Sequence, residues 1–374
     1  MRSADPAELK ALLLSLRAHT LTLFDAWERA EKLLIPFHQE FNPPLWELGH
    51  IGWFQEYWLG RNQQLYRGVH CDSDHLRKPS LCPQADSLYN SSLVPHDTRW
   101  DLPLLAPENC REYLAQTLKQ STAILNDAAS DREALYFFWL AAQHEAMHLE
   151  AGVYMAQAQD VPIRGSWLRR FDRGYQSQTN ATLNRQSWLL GSANENFCFD
   201  NELGQHEVNL DPFEIDLNPV NWDQYMAFVT TTKRDMPRYV REDSQSFAVK
   251  YFGNWYPMNM QASAVHISWF DAHDYCRWAN RRFATEAEWE CAAMTLPNFN
   301  WGDVWEWTAD EFQPYPGFTS HPYKDYSFPW FGSRKVLRGA CFATHPCVRH
   351  VKYRNFFAPE RTDIFSGFRT CAID

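Results

Sequence analysis

No apolar run in the chain is long enough to span a bilayer, which excludes an integral membrane helix. The opening string, MRSADPAELKALLL, lacks the order of a signal peptide and starts an acidic-tinged amphipathic helix instead. The nine cysteines show no C-x-x-C spacing and no regular framework. Such scatter excludes a disulfide-stapled secreted domain and suits a reducing cytoplasm. Basic residues are outnumbered, with 35 Lys and Arg against 46 Asp and Glu, and a net charge of −11 argues against nucleic acid as a partner. Internal repeats and low-complexity segments are missing too. What is present is 374 residues, 45% hydrophobic and 16% aromatic, too long for one ordinary core. Two domains are expected.

Residues up to about 160 read as helices separated by loops. Residues 6–30 place Leu9, Leu12, Leu13, Leu16, Leu23, Phe24 and Trp27 at helical spacing, with Asp5 before Pro6 as a start signal. Residues 44–66 form a second apolar-faced segment, and residues 108–128 and 131–159 a third and fourth. A proline-punctuated stretch over 68–107 is long for a loop, and its aromatic content points to an ordered one. Four such helices with one long crossover predict an up-and-down bundle. From about residue 164 the apolar runs shorten to strand length, as in SWLLGS and KVLRGACFAT, with helical pieces at 221–231, 269–279 and 286–294. The polar run between 174 and 186 reads as a linker. The expected fold class is therefore multi-domain, α plus α+β: a helical bundle over 1–174 and an irregular α+β domain over 186–374.

The bundle's fourth helix carries the chemistry. FFWLAAQHEAMHLEAGVYM (137–155) has no glycine or proline before Gly152 and is apolar almost all round, the mark of a buried helix. Into that surface it sets His144 and His148, four residues apart and so on one face. Two neutral imidazoles one turn apart can chelate a divalent metal; equally, a lone His-x-x-x-His is often a pair of hydrogen-bonded core histidines. His50, mid-way along the second helix among Leu48, Ile51, Trp53 and Phe54, is the best candidate for a third ligand, because three unpaired imidazoles in one core are costly. His19, His38, His70, His75 and His96 sit in amphipathic or loop settings and read as surface. HEAMH formally matches the H-E-x-x-H zinc-protease pattern, but in mid-helix of a bundle its glutamate has no open cleft to face.

GHIGWFQEYW and HEAMHLEA resemble the metal-binding bundle of the ergothioneine sulfoxide synthases. In that family a damage-inducible-type bundle is fused to a domain like that of the formylglycine-generating enzymes, a C-type-lectin-like fold. WLLGS, HEVNLDPFEIDLNPVNWDQYMAFV, RFATEAEWECAA, WGDVWEWTADEFQPYPGF, KVLRGACFAT and FSGFR are similar to that domain's landmarks, in order. The resemblance covers nearly the whole chain. It implies a mononuclear non-haem iron(II) held by His50, His144 and His148, and an O2-dependent reaction joining a chalcogen to C2 of the imidazole of hercynine, the trimethylbetaine of histidine. Three neutral ligands leave room for substrate imidazole, chalcogen and O2, and the aromatic wealth suits a trimethylammonium group. The resemblance further implies a tyrosine proton donor, for which Tyr89 and Tyr315 both qualify, and a substrate-binding set at Met147, Asn355, Phe356 and Phe357, with Asn355 at the betaine carboxylate; Arg99 could hold a substrate carboxylate but reads first as a solvated arginine.

Departures from the family pattern bear on the donor. Met147 stands where the peptide-thiol branch has a glutamine, and Asn355, Phe356 and Phe357 stand where it has an Asn-Trp-Asp string. Phe357 in place of aspartate removes an ammonium partner, which disfavours γ-glutamylcysteine and suits a neutral selenosugar better than zwitterionic cysteine. The landmark usually written LRGGSWAT reads LRGACFAT. Cys341 and Cys347 fall near the copper cysteines of true formylglycine-generating enzymes, but with other spacing, and read as buried thiols. The alternatives are a sulfoxide synthase using cysteine, a zinc thiol transferase, and a non-enzymatic lectin-like binding module. Hercynine, a selenosugar or thiol, and O2 are the expected partners, with no nucleic acid and no membrane.

Overall fold

The computed structural model describes residues 2, 5–175, 179–193, 196–244 and 246–373, which divide into two compact units. The first holds everything up to Trp167 and takes back a short piece of later chain, Ser320–Asp325. The second begins at Leu168, ahead of the expected boundary. Of the run read as a linker, residues 176–178 lie outside the described residues. Residues Asn180–Leu183 are a strand, β1, held in antiparallel register with Phe213–Asp216. Ladder hydrogen bonds and the burial of Leu183 outweigh the polar composition that suggests a linker.

In the first unit, α1 (Pro6–Arg29), α2 (Pro44–Gln55), α4 (Pro107–Asn126) and α5 (Arg132–Ala158) make the bundle, and a short α3 (Ala85–Tyr89) sits in the long crossover. Local chemistry sets their ends. The Asp5 carboxylate accepts from the N–H groups of Ala7 and Glu8, both at 2.9 Å, ahead of Pro6. Asp131 accepts from Ala134 N–H at 2.8 Å at the start of α5. The second helix is shorter than its apolar pattern: after Gln55 the backbone widens into a π-helical turn, Glu56–Gly60. Glu56 is fully buried there, and its carboxylate accepts from Ser80 Oγ, Leu81 N–H and Tyr113 Oη, each at 2.6 Å. The bundle core packs Phe24, Leu45, Leu48, Ile51, Cys110 and Leu114 together.

The second unit is built from short strands. One sheet has the order β1-β4-β13-β8, with β4 Phe213–Asp216, β8 Arg281–Phe283 and β13 Thr370–Ala372. Another has the order β11-β10-β9-β12, with β9 Trp305–Glu311, β10 Lys335–Gly339, β11 Asn355–Phe357 and β12 Ser366–Phe368. A hairpin of β2 (Gln186–Leu190) and β3 (His206–Leu210) and a three-stranded sheet of β5 (Val240–Asp243), β6 (Ser246–Tyr251) and β7 (Asn254–Pro257) complete it. Three helices, α6 (Trp222–Thr232), α7 (Trp269–Trp278) and α8 (Glu286–Thr295), each start at a capping side chain: Asn221, Ser268 and Thr285. Buried glutamates pair with arginines through the unit's interior: Glu286 with Arg354, Glu290 with Arg338 and Lys352, Glu306 with Arg369. All nine cysteines are free thiols, and no helix among the described residues is long and apolar enough to cross a membrane.

Candidate metal centre

His50 on α2 and His144 and His148 on α5 come together in the first unit, with one ring nitrogen of each within 4.8 Å of the others. The Nε2 atoms of His144 and His148 stand 3.1 Å apart. Nitrogens about 2.1 Å from a shared metal would subtend nearly a right angle at that separation, as two neighbours on one face of an octahedron do.

The back of each ring decides what the front can do. His50 Nδ1 lies 2.7 Å from the Tyr89 carbonyl, and His148 Nδ1 meets the Glu47 carboxylate. Carbonyl and carboxylate can only accept, so both histidines carry a proton on Nδ1, and Nε2 is the nitrogen left to face the centre. The facing Nε2 atoms of His144 and His148 are close enough to share a proton, which a bound cation would displace, so the donor set fits a divalent metal. The rings themselves are fixed by stacking. Phe54 lies flat on His144 at 3.5 Å and 4°, and Trp46 on His50 at 4.7 Å and 11°.

Electrostatics agree. Burial first, and then the neighbouring His148, push the His50 imidazole down to about 3. Burial likewise holds His144 well below its ordinary value. Both rings are therefore neutral at pH 7, the state a ligand requires. For Glu47 burial works upward, but the opposing pull of His148 outweighs it and lowers the carboxyl to about 2.

Glu145, the glutamate of HEAMH, faces elsewhere. It accepts from Arg17 Nε at 2.9 Å and Thr20 Oγ1 at 2.9 Å in a buried ion pair between α1 and α5. The H-E-x-x-H protease reading fails on that geometry, since the required base is already committed.

The other expected residues are distributed as follows. Tyr89 is fully buried; its carbonyl reaches His50 while its hydroxyl accepts from Leu105 N–H at 3.2 Å and lies 3.7 Å from Cys110 Sγ. Arg99 lies 4.0 Å over the Trp46 ring, donating to Asn42 Oδ1 at 2.7 Å and the Val94 carbonyl at 3.2 Å. Met147 is half-buried on α5. In the second unit, Tyr315 donates to Glu286 at 3.0 Å beneath the Arg354 guanidinium, inside a hydrophobic core. Asn355 caps the N–H of Phe356 at 2.9 Å, Phe356 stacks on Phe312 at 4.0 Å, and Phe357 lies 5.1 Å under Arg361. Cys341 and Cys347 are buried thiols, Cys347 beside His345 Nδ1 at 3.1 Å.

Sequence reasoning misses Glu47, Trp46 and Tyr323, and places Phe54 only in the apolar setting of His50. Glu47, Trp46 and Phe54 carry a signal, for they are three or four residues from His50 and so share its face of α2. Tyr323 carries none. It arrives with Ser320–Asp325 from the later chain, lies edge-on to Phe54 at 4.9 Å, and has its ring 6.2 Å from that of His144.

Comparison with known proteins settles the relationship. The sulfatase-modifying factor enzyme 1-like domain matches residues 175–301 and 296–373, together more than half of the chain. The chain belongs to that family. Ahead of this domain, residues 12–151 match the DinB superfamily. Two relatives are similar nearly end to end: the hercynine oxygenase of Mycolicibacterium smegmatis, 28% identical over 89% of this chain and 92% of its own, and that of Mycobacterium tuberculosis, 26% identical over 98% of each. The formylglycine-generating enzyme of Streptomyces coelicolor is 26% identical over 50% of this chain and 86% of its own, so its similarity stops at about half the chain.

Proposed function

We propose that this chain is an iron(II)- and O2-dependent enzyme that forms a carbon–chalcogen bond at C2 of the hercynine imidazole. The observation that carries the reading is the triad His50, His144 and His148, with one ring nitrogen of each within 4.8 Å of the others, in a chain similar over nearly its whole length to hercynine oxygenases. Iron at that triad would supply the one-electron chemistry that O2 requires and leave positions for substrate.

The protein's own residues supply the rest. Tyr89, through its carbonyl, and Glu47 hold the ligand rings in the correct tautomer. The apolar rings of Trp46, Phe54 and Trp53 around His50 exclude water from the ligands' flanks. Tyr323, whose ring lies 6.2 Å from that of His144, is the reading's proton donor, in preference to Tyr89, whose hydroxyl faces Leu105 and Cys110, and to Tyr315, whose hydroxyl donates to Glu286. Burial, then the nearby Asp325, raise the Tyr323 phenol, so it stays protonated at neutral pH and able to donate. For the chalcogen donor we favour a selenosugar. That preference rests on Phe357, where the thiol-using pattern has an aspartate to meet an ammonium group, and the cytoplasm is the proposed compartment.

The test is made with the full-length protein loaded with iron(II) under anaerobic conditions and mixed with hercynine. Air and a single donor are then added in separate tubes: a 1-seleno-sugar, cysteine or γ-glutamylcysteine. A selenium adduct of hercynine with the sugar alone, read by mass spectrometry, is the expected result. A sulfoxide with cysteine would assign the chain to carbon–sulfur bond formation. No product with any donor, and no iron retained, would overturn the reading.

A further inference from the structure

The three imidazoles of the triad are not backed alike. His50 gives its Nδ1 proton to a neutral peptide carbonyl, whereas His148 gives its own to the carboxylate of Glu47. Glu47 is itself held. Asn42 Nδ2 donates to its other oxygen at 2.5 Å, and Arg99 Nη1 donates to Asn42 Oδ1 at 2.7 Å. The same guanidinium lies 4.0 Å over Trp46, and Trp46 stacks on His50. The contacts close a loop, His148–Glu47–Asn42–Arg99–Trp46–His50, joining ligands from two helices. Both ends of the central ion–imidazole contact are largely dry, with 20% of the His148 side chain and 12% of the Glu47 side chain exposed.

We infer that Glu47 is the positioning residue of the metal centre, locked by Asn42 and Arg99. A carboxylate behind an imidazole fixes the tautomer, fixes the ring's rotation and raises the basicity of the far nitrogen; a carbonyl does the last less strongly. Glu47 therefore makes His148 a stronger donor than His50. Asn42 prevents the carboxylate from turning away, because the amide can hold Oε1 only while Oε2 faces His148. Arg99, in turn, orients the Asn42 amide by occupying its oxygen. The loop assigns Arg99 a structural reason for burial that does not involve a substrate carboxylate. The inference rests on the metal reading of the triad, and its test separates the two.

The experiment measures Co(II) and Fe(II) affinity of the full-length protein under anaerobic conditions, without hercynine or O2, together with the visible spectrum of the Co(II) form. Wild type is compared with Glu47→Gln, Glu47→Ala and Asn42→Ala. Glu47→Gln keeps an acceptor for His148 Nδ1 but removes the charge, and Glu47→Ala removes both. The expected order of affinity is wild type, then Gln, then Ala, with a total loss of roughly 10–100-fold. The Co(II) absorption bands should shift in both variants, a change that loss of packing alone would not produce. Asn42→Ala leaves the carboxylate in place and should lose less, in the same direction. If Glu47→Ala does not fold, the Gln and Asn42 variants carry the comparison. Wild-type affinity and an unshifted spectrum in Glu47→Gln and Asn42→Ala would overturn the inference and leave the triad intact. A wild-type protein that binds neither metal would overturn the metal reading itself.

Discussion

Glu47 and Glu145 both sit within three residues of a metal-site histidine in the chain, and their partners assign them opposite tasks. Glu47 meets His148, while Glu145, next to His144 in sequence, is turned to the far side of α5 by Arg17 and Thr20. Removing one member of a buried ion pair leaves the other charge uncompensated, at a cost of about 3–5 kcal/mol. Glu145→Ala is expected to lower the unfolding free energy by about that much in urea titration, yet to leave the iron content of the folded fraction unchanged. Loss of iron at wild-type stability would refute this division of labour. Tyrosines divide in a similar way. Tyr323→Phe keeps the ring against Phe54 and removes only the hydroxyl, so turnover should fall roughly 10²- to 10⁴-fold with iron binding preserved. Tyr89→Phe loses a hydrogen bond from Leu105, about 1 kcal/mol of stability, and should leave turnover near wild type. The pair of rates, measured on iron-loaded protein, decides which hydroxyl acts.

At the scale of elements, the centre depends on how closely α3 can approach α2. A Cβ on Gly49 would lie 2.2 Å from Tyr89 Cε1, so only glycine lets the ring rest on the helix one residue before a ligand. Gly49→Ala should push Tyr89 outward and cost about 1–3 kcal/mol, as overpacking does. It should also weaken metal binding, because the displaced carbonyl no longer takes the His50 proton; a calorimetric metal titration beside a urea curve would expose either effect. How much of this was legible in advance follows from the range of the interactions involved. Helix starts at Asp5, Asp131, Asn221 and Thr285 are local chemistry and stand in the sequence. So does the one-face pairing of His144 and His148, and the apolar setting of His50. The π-turn at Glu56–Gly60 is not legible, because the partners that saturate Glu56 come from Ser80, Leu81 and Tyr113. Nor is Tyr323, whose segment crosses the chain to join the bundle. Asn180–Leu183 looks like a linker because its partner strand lies 30 residues on, and pairing at a distance leaves no mark on composition.

For the molecule as a whole, acid should act unequally on the two units. In the bundle, His50 is held at about 3 and His144 well below its ordinary value, chiefly by burial. An unfolded histidine titrates near 6.5, so between pH 6.5 and 3 the unfolded bundle binds more protons than the folded one. The stabilising term is fully present above pH 6.5 and is lost as the pH falls through that window. At pH 5 the loss from His50 is on the order of 2 kcal/mol, and His144 acts in the same direction. Glu47, lowered to about 2, adds to it below the ordinary carboxylate range. The second unit carries a histidine of this kind, His266, also held at about 3 by burial, its Nδ1 3.1 Å from the Thr362 carbonyl. Against it stands Asp310, which burial and then Glu286 raise to about 6. A raised carboxyl has the opposite sign: the folded state takes up its proton first, so acid stabilises the unit as the pH falls through 6. The two terms largely cancel over the range in which the bundle only loses. Hydrogen exchange of the metal-free protein at pH 7 and pH 5, corrected for intrinsic rates, should therefore show protection falling in Arg132–Ala158 well before Trp305–Glu311. Divalent metal, which needs the same neutral imidazoles, should raise protection in the helix further at pH 7 and leave the strand unchanged. Equal acid sensitivity in helix and strand would contradict the account of the buried histidines.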